Sequence, residues 1–319
     1  MDCRQCGEVI EAGFSFCEAC GTAIGGAYAT PQLKQEQQAQ LGLSCLCGNA
    51  DFDADAICEN CGRKQQVVDY PELQILNHAT ASATHRGMHH AENQDAVAIC
   101  DVNGVLALAV ADGVSTACRA KEAATVAVTI ALAILQEHAA LLPDQRLQLA
   151  VSKANEAICA MPYDDTILAE PEATLVVALV DKGQLHYAWV GDSRLYVVTA
   201  DTVLQLTEDD SWLNQQLKAG VSITAANKDK NAHCITQCLG MRDDVPEIHI
   251  GSMQLNSDAN VLLCTDGLWN YCDNQAAMLA RFNSTLSVKE QSLSLIDYAN
   301  QQGGHDNISV VLHRYCLPI

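Results

Sequence analysis

Five aspartates stand where short apolar runs start or stop, and that placement narrows the folds open to this chain. They occur in Asn93-Gln94-Asp95, Ala111-Asp112-Gly113, Gly191-Asp192-Ser193-Arg194, Cys264-Thr265-Asp266-Gly267 and Gly304-His305-Asp306-Asn307. Four of them adjoin residues 105–110, 185–190, 261–263 and 308–312, runs rich in the side chains that favour strands. Strand ends are where a sheet can aim several carboxylates at one point. Clustered carboxylates cannot all ionise in one cleft without a cation to offset them. Hard divalent ions such as Mg²⁺ and Mn²⁺ take oxygen ligands of this kind. A flanking glycine lets the backbone approach the ion and offer a carbonyl. The pattern therefore predicts metal-assisted chemistry at the rim of a sheet.

Strand-like and helix-like blocks alternate from about Leu73 onward. Strands are predicted over residues 95–101, 105–111, 173–180, 184–191, 194–199, 203–206, 261–264 and 307–313. Helices are predicted over 117–138, 143–160, 209–219, 274–281 and 287–302. Turns at Val102-Asn103-Gly104 and Asp181-Lys182-Gly183 are short enough to make hairpins, so much of the sheet is antiparallel. The simplest architecture is α+β: two antiparallel sheets packed face to face with helices outside.

Half of the 16 cysteines fall in the first 61 residues. Cys3-x2-Cys6 and Cys17-x2-Cys20, each followed by a glycine and with ten residues between Cys6 and Cys17, make a zinc-ribbon spacing, in which two knuckles complete a four-sulfur site. A second set, Cys45-x-Cys47-Gly48 and Cys58-x2-Cys61-Gly62, is one residue short in its first knuckle. Two structural Zn²⁺ ions are expected, because four ligands leave no open position and such small modules draw their folding energy from the metal. The predicted layout is zinc ribbon 1 over residues 1–24, a linker over 25–43 and zinc ribbon 2 over 44–64. A hinge over 65–72 leads to a large domain over 73–319.

The net charge of −21 argues against a nucleic-acid surface. No stretch reaches the roughly 18 apolar residues of a membrane span. The N-terminus lacks a signal-peptide pattern, so a reducing cytoplasm is expected. The remaining cysteines, mostly single and inside apolar runs, then read as small buried hydrophobes.

The ordered motifs RGMHHAENQD, ADGV, GDSRLY, LTEDDS, ITQCLG, LLCTDGLW and GGHDNISVVL resemble those of the PPM-type (protein phosphatase 2C) metal-dependent Ser/Thr phosphatases. The resemblance spans about residues 80–314 and implies an αββα four-layer sandwich. It implies that Asp112 bridges two Mn²⁺ or Mg²⁺ ions and that Gly113 lends its carbonyl. Asp266 and Asp306 would complete the first shell, Asp95 would serve the second ion, and Asp192 would hold a third, weaker position. Asn307 would orient its neighbour or help close the site. Hydrolysis of phosphoserine and phosphothreonine would proceed by direct attack of a metal-bridging hydroxide. Substrates would be phosphoproteins, those of a bacterial Ser/Thr kinase, and the ribbons would bind partners or regulate. The alternative is a weak or inactive pseudo-phosphatase acting as a phosphoprotein-binding scaffold.

Three departures from the family pattern stand out. The phosphate-binding arginine expected five positions before Asp95 is His90, preceded by His89, with Arg86 nearby. Either Arg86 takes the phosphate, or a protonated His90 does, or phosphate binding is weak. Asp112-Gly113 continues into Val114-Ser115-Thr116 instead of a residue and two glycines. Val114 cannot supply the general acid that some eukaryotic members carry there. Glu172-Ala173-Thr174 stands where Gly-Thr-Thr is usual.

Overall fold

The computed structural model describes residues 47, 49–51, 57–61, 69–164, 169–232, 234–272 and 274–317. Contacts divide the chain into Met1–Tyr70 and Pro71–Ile319. Cys3, Cys6, Cys17, Cys20 and Cys45 lie outside the described residues.

The second unit holds two antiparallel sheets. One runs β1 (Glu72–Asn77), β2 (Thr80–His85), β11 (Ile308–Tyr315), β10 (Ala259–Cys264), β7 (Arg194–Val198) and β8 (Val203–Gln205) from edge to edge. The other runs β3 (Asp95–Val102), β4 (Val105–Asp112), β5 (Leu175–Asp181), β6 (Gln184–Val190) and β9 (His249–Gln254). Helices α1 (Ala120–Glu137) and α2 (Pro143–Cys159) cover the five-stranded sheet. Helix α7 (Val288–Gln301) covers the six-stranded one. Shorter helices α3 (Trp212–Lys218), α4 (Ile223–Ala226), α5 (Asp266–Trp269) and α6 (Gln275–Leu279) fill the connections.

The layers follow from the two-residue period of a strand. On β4, Leu106, Leu108 and Val110 face the other sheet, where they meet Leu195, Val261, Leu263 and Val311. The alternate residues, Ala107, Ala109 and Ala111, face the helices. There they meet an alanine stripe on α1 formed by Ala123, Ala124, Ala127 and Ala131. Small residues on both sides let helix and sheet approach closely. On β10, Leu262 and Cys264 point the other way, toward Leu295 and Ile296 of α7. The expected αββα sandwich is what the chain forms.

Strands β1, β2 and β9 were not predicted. β2 reads Thr-Ala-Ser-Ala-Thr-His, with no large apolar side chain to mark it, yet all six residues are buried. It pairs with β11 and sits beneath α7. Helix α3 begins at Trp212 rather than at the predicted 209. Ser211 caps it by accepting the Asn214 N–H at 3.3 Å, and the aspartates before it are engaged elsewhere.

Candidate functional site

The five aspartates occupy one end of the sandwich because strand ends from both sheets meet there. Asp95 opens β3 and Asp112 closes β4, and the two are directly opposed in the antiparallel register. Asp266 follows β10, Asp306 precedes β11, and Asp192 lies in the turn from β6 to β7. Asp112, Asp192, Asp266 and Asp306 line a cleft of about 540 Å³, whose wall also includes Glu172 and Cys238. Asp95 is buried behind them.

The electrostatics are those of like charges crowded in a poorly hydrated place. Burial first, then the charges of Asp266 and Asp306, push the Asp95 carboxyl up to about 7. Burial and the Asp306 charge take Asp266 to about 6. Burial with Asp266 and Asp209 takes Asp192 to about 8. Asp112 is raised well above the usual carboxylate range, by burial and then by the other four aspartates. Oδ1 of Asp95 and Oδ1 of Asp266 are buried and accept no hydrogen bond. Such orphaned oxygens are costly in a fold unless a cation meets them. No three of the aspartates bring ligand oxygens within 4.8 Å of one another. One bare ion therefore does not span the set, and further ions or waters must complete any shell.

The backbone around these carboxylates is tightly tied. Asp95 Oδ2 accepts the Thr265 hydroxyl at 2.8 Å. Asp112 N–H donates to Thr174 Oγ1 at 3.1 Å, and Thr174 N–H returns to Asp112 O at 2.8 Å. Gly113 must be glycine, since a Cβ would lie 2.4 Å from Ala120 O and 2.8 Å from Gln94 O. Asn307 is the clasp of the 86–94 loop. Its Oδ1 accepts Gln94 N–H at 2.7 Å, and its Nδ2 donates to Arg86 O at 2.8 Å and Glu92 O at 3.1 Å.

His90 and Arg86, the two candidates for the substrate phosphate, lie in the loop between β2 and β3. His90 Nε2 lies 3.3 Å from Asp306 Oδ1. The Arg86 guanidinium donates to the backbone carbonyl of His90 and so braces the loop. His89 stacks on His305, ring centroids 4.8 Å apart.

Sequence reasoning missed the supports of Asp192. Arg194 grips Asp209 through two bonds of 2.8 and 2.6 Å and lies 3.5 Å over the Trp269 ring, whose Nε1 donates to Asp192 O at 3.0 Å. Asp210 holds Gly191 twice: its N–H donates to Gly191 O at 3.0 Å and its Oδ2 accepts Gly191 N–H at 2.8 Å. Its Oδ1 pairs with His249 Nε2 at 2.8 Å, and Trp189 stacks on that ring. The signal was present in LTEDDS, whose two adjacent aspartates read only as part of a motif. Asp210→Asn can accept from Gly191 or His249 but not from both. It is expected to lower kcat/KM about 10–100-fold at limiting Mn²⁺. Excess Mn²⁺ should recover part of that loss in a metal titration of activity.

In the first unit, Cys47, Cys58 and Cys61 bring their sulfurs within 4.8 Å of one another. Cys47 and Cys58 are 3.6 Å apart, and Asn60 and Asn49 side chains donate to them. Burial raises the Cys58 thiol, but N–H groups of Cys61 and Asn60 outweigh it and leave it below its ordinary value.

A family model described as Protein phosphatase 2C matches residues 82–297. The serine/threonine phosphatase stp of Listeria innocua is 31% identical over 208 residues, covering 64% of this chain and 82% of that protein. The solved serine/threonine phosphatase PstP/Ppp of Mycobacterium tuberculosis matches with a TM-score of 0.61 and 26% identity, over 76% of this chain and 99% of that one. The catalytic domain of PstP in complex with two manganese ions matches with a TM-score of 0.58 and 25% identity, over 76% and 98%.

Proposed function

The chain belongs to the protein phosphatase 2C family, and from that premise we propose which residues and cations carry its Ser/Thr phosphatase activity. Asp95, Asp112, Asp266 and Asp306, with the Gly113 carbonyl, hold two Mn²⁺ or Mg²⁺ ions, and Asp192 holds a weaker third. The observation that carries this is the pair of buried, unpartnered oxygens on Asp95 and Asp266 inside a converging set of carboxylates. When bound, two such ions lower the pKa of water to give a nucleophile and neutralise phosphoryl oxygens.

The chain's own groups position the reaction. Thr265 and Asn307 fix Asp95 and the loop beside it, so the carboxylates meet the substrate already oriented. Direct in-line attack needs no phosphorylated protein intermediate. Cys238 is buried, and burial raises its thiol well above the usual range, so it serves poorly as a nucleophile. His90 lies against Asp306 and acts on that carboxylate's orientation, while Arg86 holds the loop that carries it.

Cys45, Cys47, Cys58 and Cys61 hold one structural Zn²⁺, and Cys3, Cys6, Cys17 and Cys20 a second; the three converging sulfurs support the first of these. The ribbons recruit partners or regulate. A reducing, cytoplasmic setting suits thiolate ligands of this kind. No helix among the described residues is long and apolar enough to cross a membrane. Substrates are phosphoproteins of a bacterial Ser/Thr kinase.

The test is turnover of p-nitrophenyl phosphate and phosphopeptides with and without Mn²⁺, beside metal content by mass spectrometry. Mn²⁺-dependent hydrolysis and two tightly held zincs per chain are expected. Zero turnover by the Mn²⁺-loaded protein on both substrates would sink the reading.

A further inference from the structure

We propose that Glu172 selects phosphoproteins bearing a lysine or arginine beside the phosphorylated residue, by pairing with that basic side chain inside the cleft. The proposal rests on the phosphatase reading of the same cleft. It starts from an imbalance of charge. Asp112, Asp192, Asp266, Asp306 and Glu172 line the cleft, Asp95 stands behind it, and no lysine or arginine is among the lining residues described. A phosphate monoester adds nearly two further negative charges. Even with the weaker third ion, the divalent cations bring six positive charges, too few to balance six carboxylates and a phosphate. The substrate has to supply part of the difference.

The cations close by in the chain are committed elsewhere. Arg242 lies 3.6 Å from Glu170, donates to the Met161 carbonyl at 2.8 Å and sits 4.3 Å over the Tyr163 ring. Arg194 is held by Asp209, and the Arg86 guanidinium is turned to the His90 carbonyl. His90, at the position where an arginine was expected, faces Asp306.

Glu172 itself is built to meet a cation. Its side chain forms part of the cleft wall. Its carbonyl accepts Val114 N–H at 3.1 Å, which fixes the backbone. The buried Cys238 side chain hydrogen-bonds its carboxyl, which fixes the rotamer without supplying a charge. It makes no ion pair among the described residues. Burial, and then the nearby Glu170 charge, raise its pKa, and an incoming ammonium or guanidinium would restore the ionised form. A cleft of about 540 Å³ has room for a phosphorylated side chain and little more than one neighbour. The basic residue must therefore be adjacent in sequence, at about 3.5 Å of chain per residue. The net charge of −21 steers such substrates inward from a distance.

The experiment compares two phosphothreonine peptides that differ only in lysine or glutamine next to the phosphoresidue. Wild-type protein is expected to favour the lysine peptide about tenfold in kcat/KM, mainly through KM. The same ratio should appear in affinity, by fluorescence anisotropy of labelled peptides on Mn²⁺-free protein. Glu172→Gln keeps the volume and the thiol contact and should bring the ratio to about one, and Glu172→Lys should invert it. A ratio within one preparation cancels any general loss of folded protein. A wild-type ratio of one, or a ratio unchanged in Glu172→Gln, overturns the proposal. Wild-type turnover of p-nitrophenyl phosphate separates the two levels. Turnover with no peptide preference removes only the role of Glu172, and no turnover on any substrate removes the phosphatase reading and this proposal together.

Discussion

Replacing Asp112 by asparagine is expected to lower kcat/KM for p-nitrophenyl phosphate by about 10³-fold or more while leaving the fold intact. The carboxylate is the last residue of β4, opposed to Asp95 across the ladder, and its pKa is raised by burial first and then by all four other aspartates. Asparagine keeps the size and shape but removes the charge and one strong ligand oxygen. Its backbone bonds to Thr174 do not depend on the side chain, so β4 and β5 stay in register. The same change has an opposite effect on the Mn²⁺-free protein. One less like charge in the cluster stabilises it, and each kcal/mol gained shifts Tm by about 2–4 °C for a unit of this size. Calorimetry of Mn²⁺-free wild type and variant, beside activity with saturating Mn²⁺, tests both halves. A variant that keeps more than a tenth of wild-type kcat/KM would remove Asp112 from the proposed metal set.

The same physics explains why the aspartates were legible in the sequence and their supports were not. A strand buried on both faces advertises itself as an apolar run, and a carboxylate at its end is conspicuous. That exposed Asp112, Asp192, Asp266 and Asp306 at once. Their meeting point depended on which strands pair, and the order β2-β11-β10-β7 joins segments more than 200 residues apart. The local pattern contains no trace of that pairing, and the family resemblance had to supply it. β2 was missed because a strand packed beneath a helix can be built from small residues. Asp210 and His249 were missed for a related reason. They are 39 residues apart and become a pair only because β9 lies beside β6. Glu172 stands out in the sequence only as a departure from the family pattern. Only the cleft wall around it, acidic and without a described lysine or arginine, gives its charge a meaning.

Freed of Mn²⁺ and Mg²⁺, the protein is expected to lose stability as pH rises, against the usual behaviour of a domain below neutrality. Asp266, Asp95 and Asp192 have folded-state pKa values of about 6, 7 and 8, raised from 3.8 by burial first and then by neighbouring aspartates. A carboxyl raised in the folded state binds its proton more tightly there than in the unfolded chain. Its contribution is fully present below about pH 4 and is lost as pH climbs through the folded value. His313 acts in the opposite sense. Burial lowers it from 6.5 to about 4, so its contribution is complete above pH 6.5 and disappears as pH falls through 4. The two effects overlap below pH 6.5, and only the carboxylates remain between 6.5 and 8. The Tm of the Mn²⁺-free protein should therefore fall across that upper window. Asp192→Asn, which removes the group highest in the window, should flatten the fall near pH 8. Saturating Mn²⁺ should abolish it, because a bound cation favours the ionised carboxylates and returns their pKa values below the window. A Tm that holds level or rises from pH 6.5 to 8 without Mn²⁺ would mean the carboxylates are not crowded as the geometry requires.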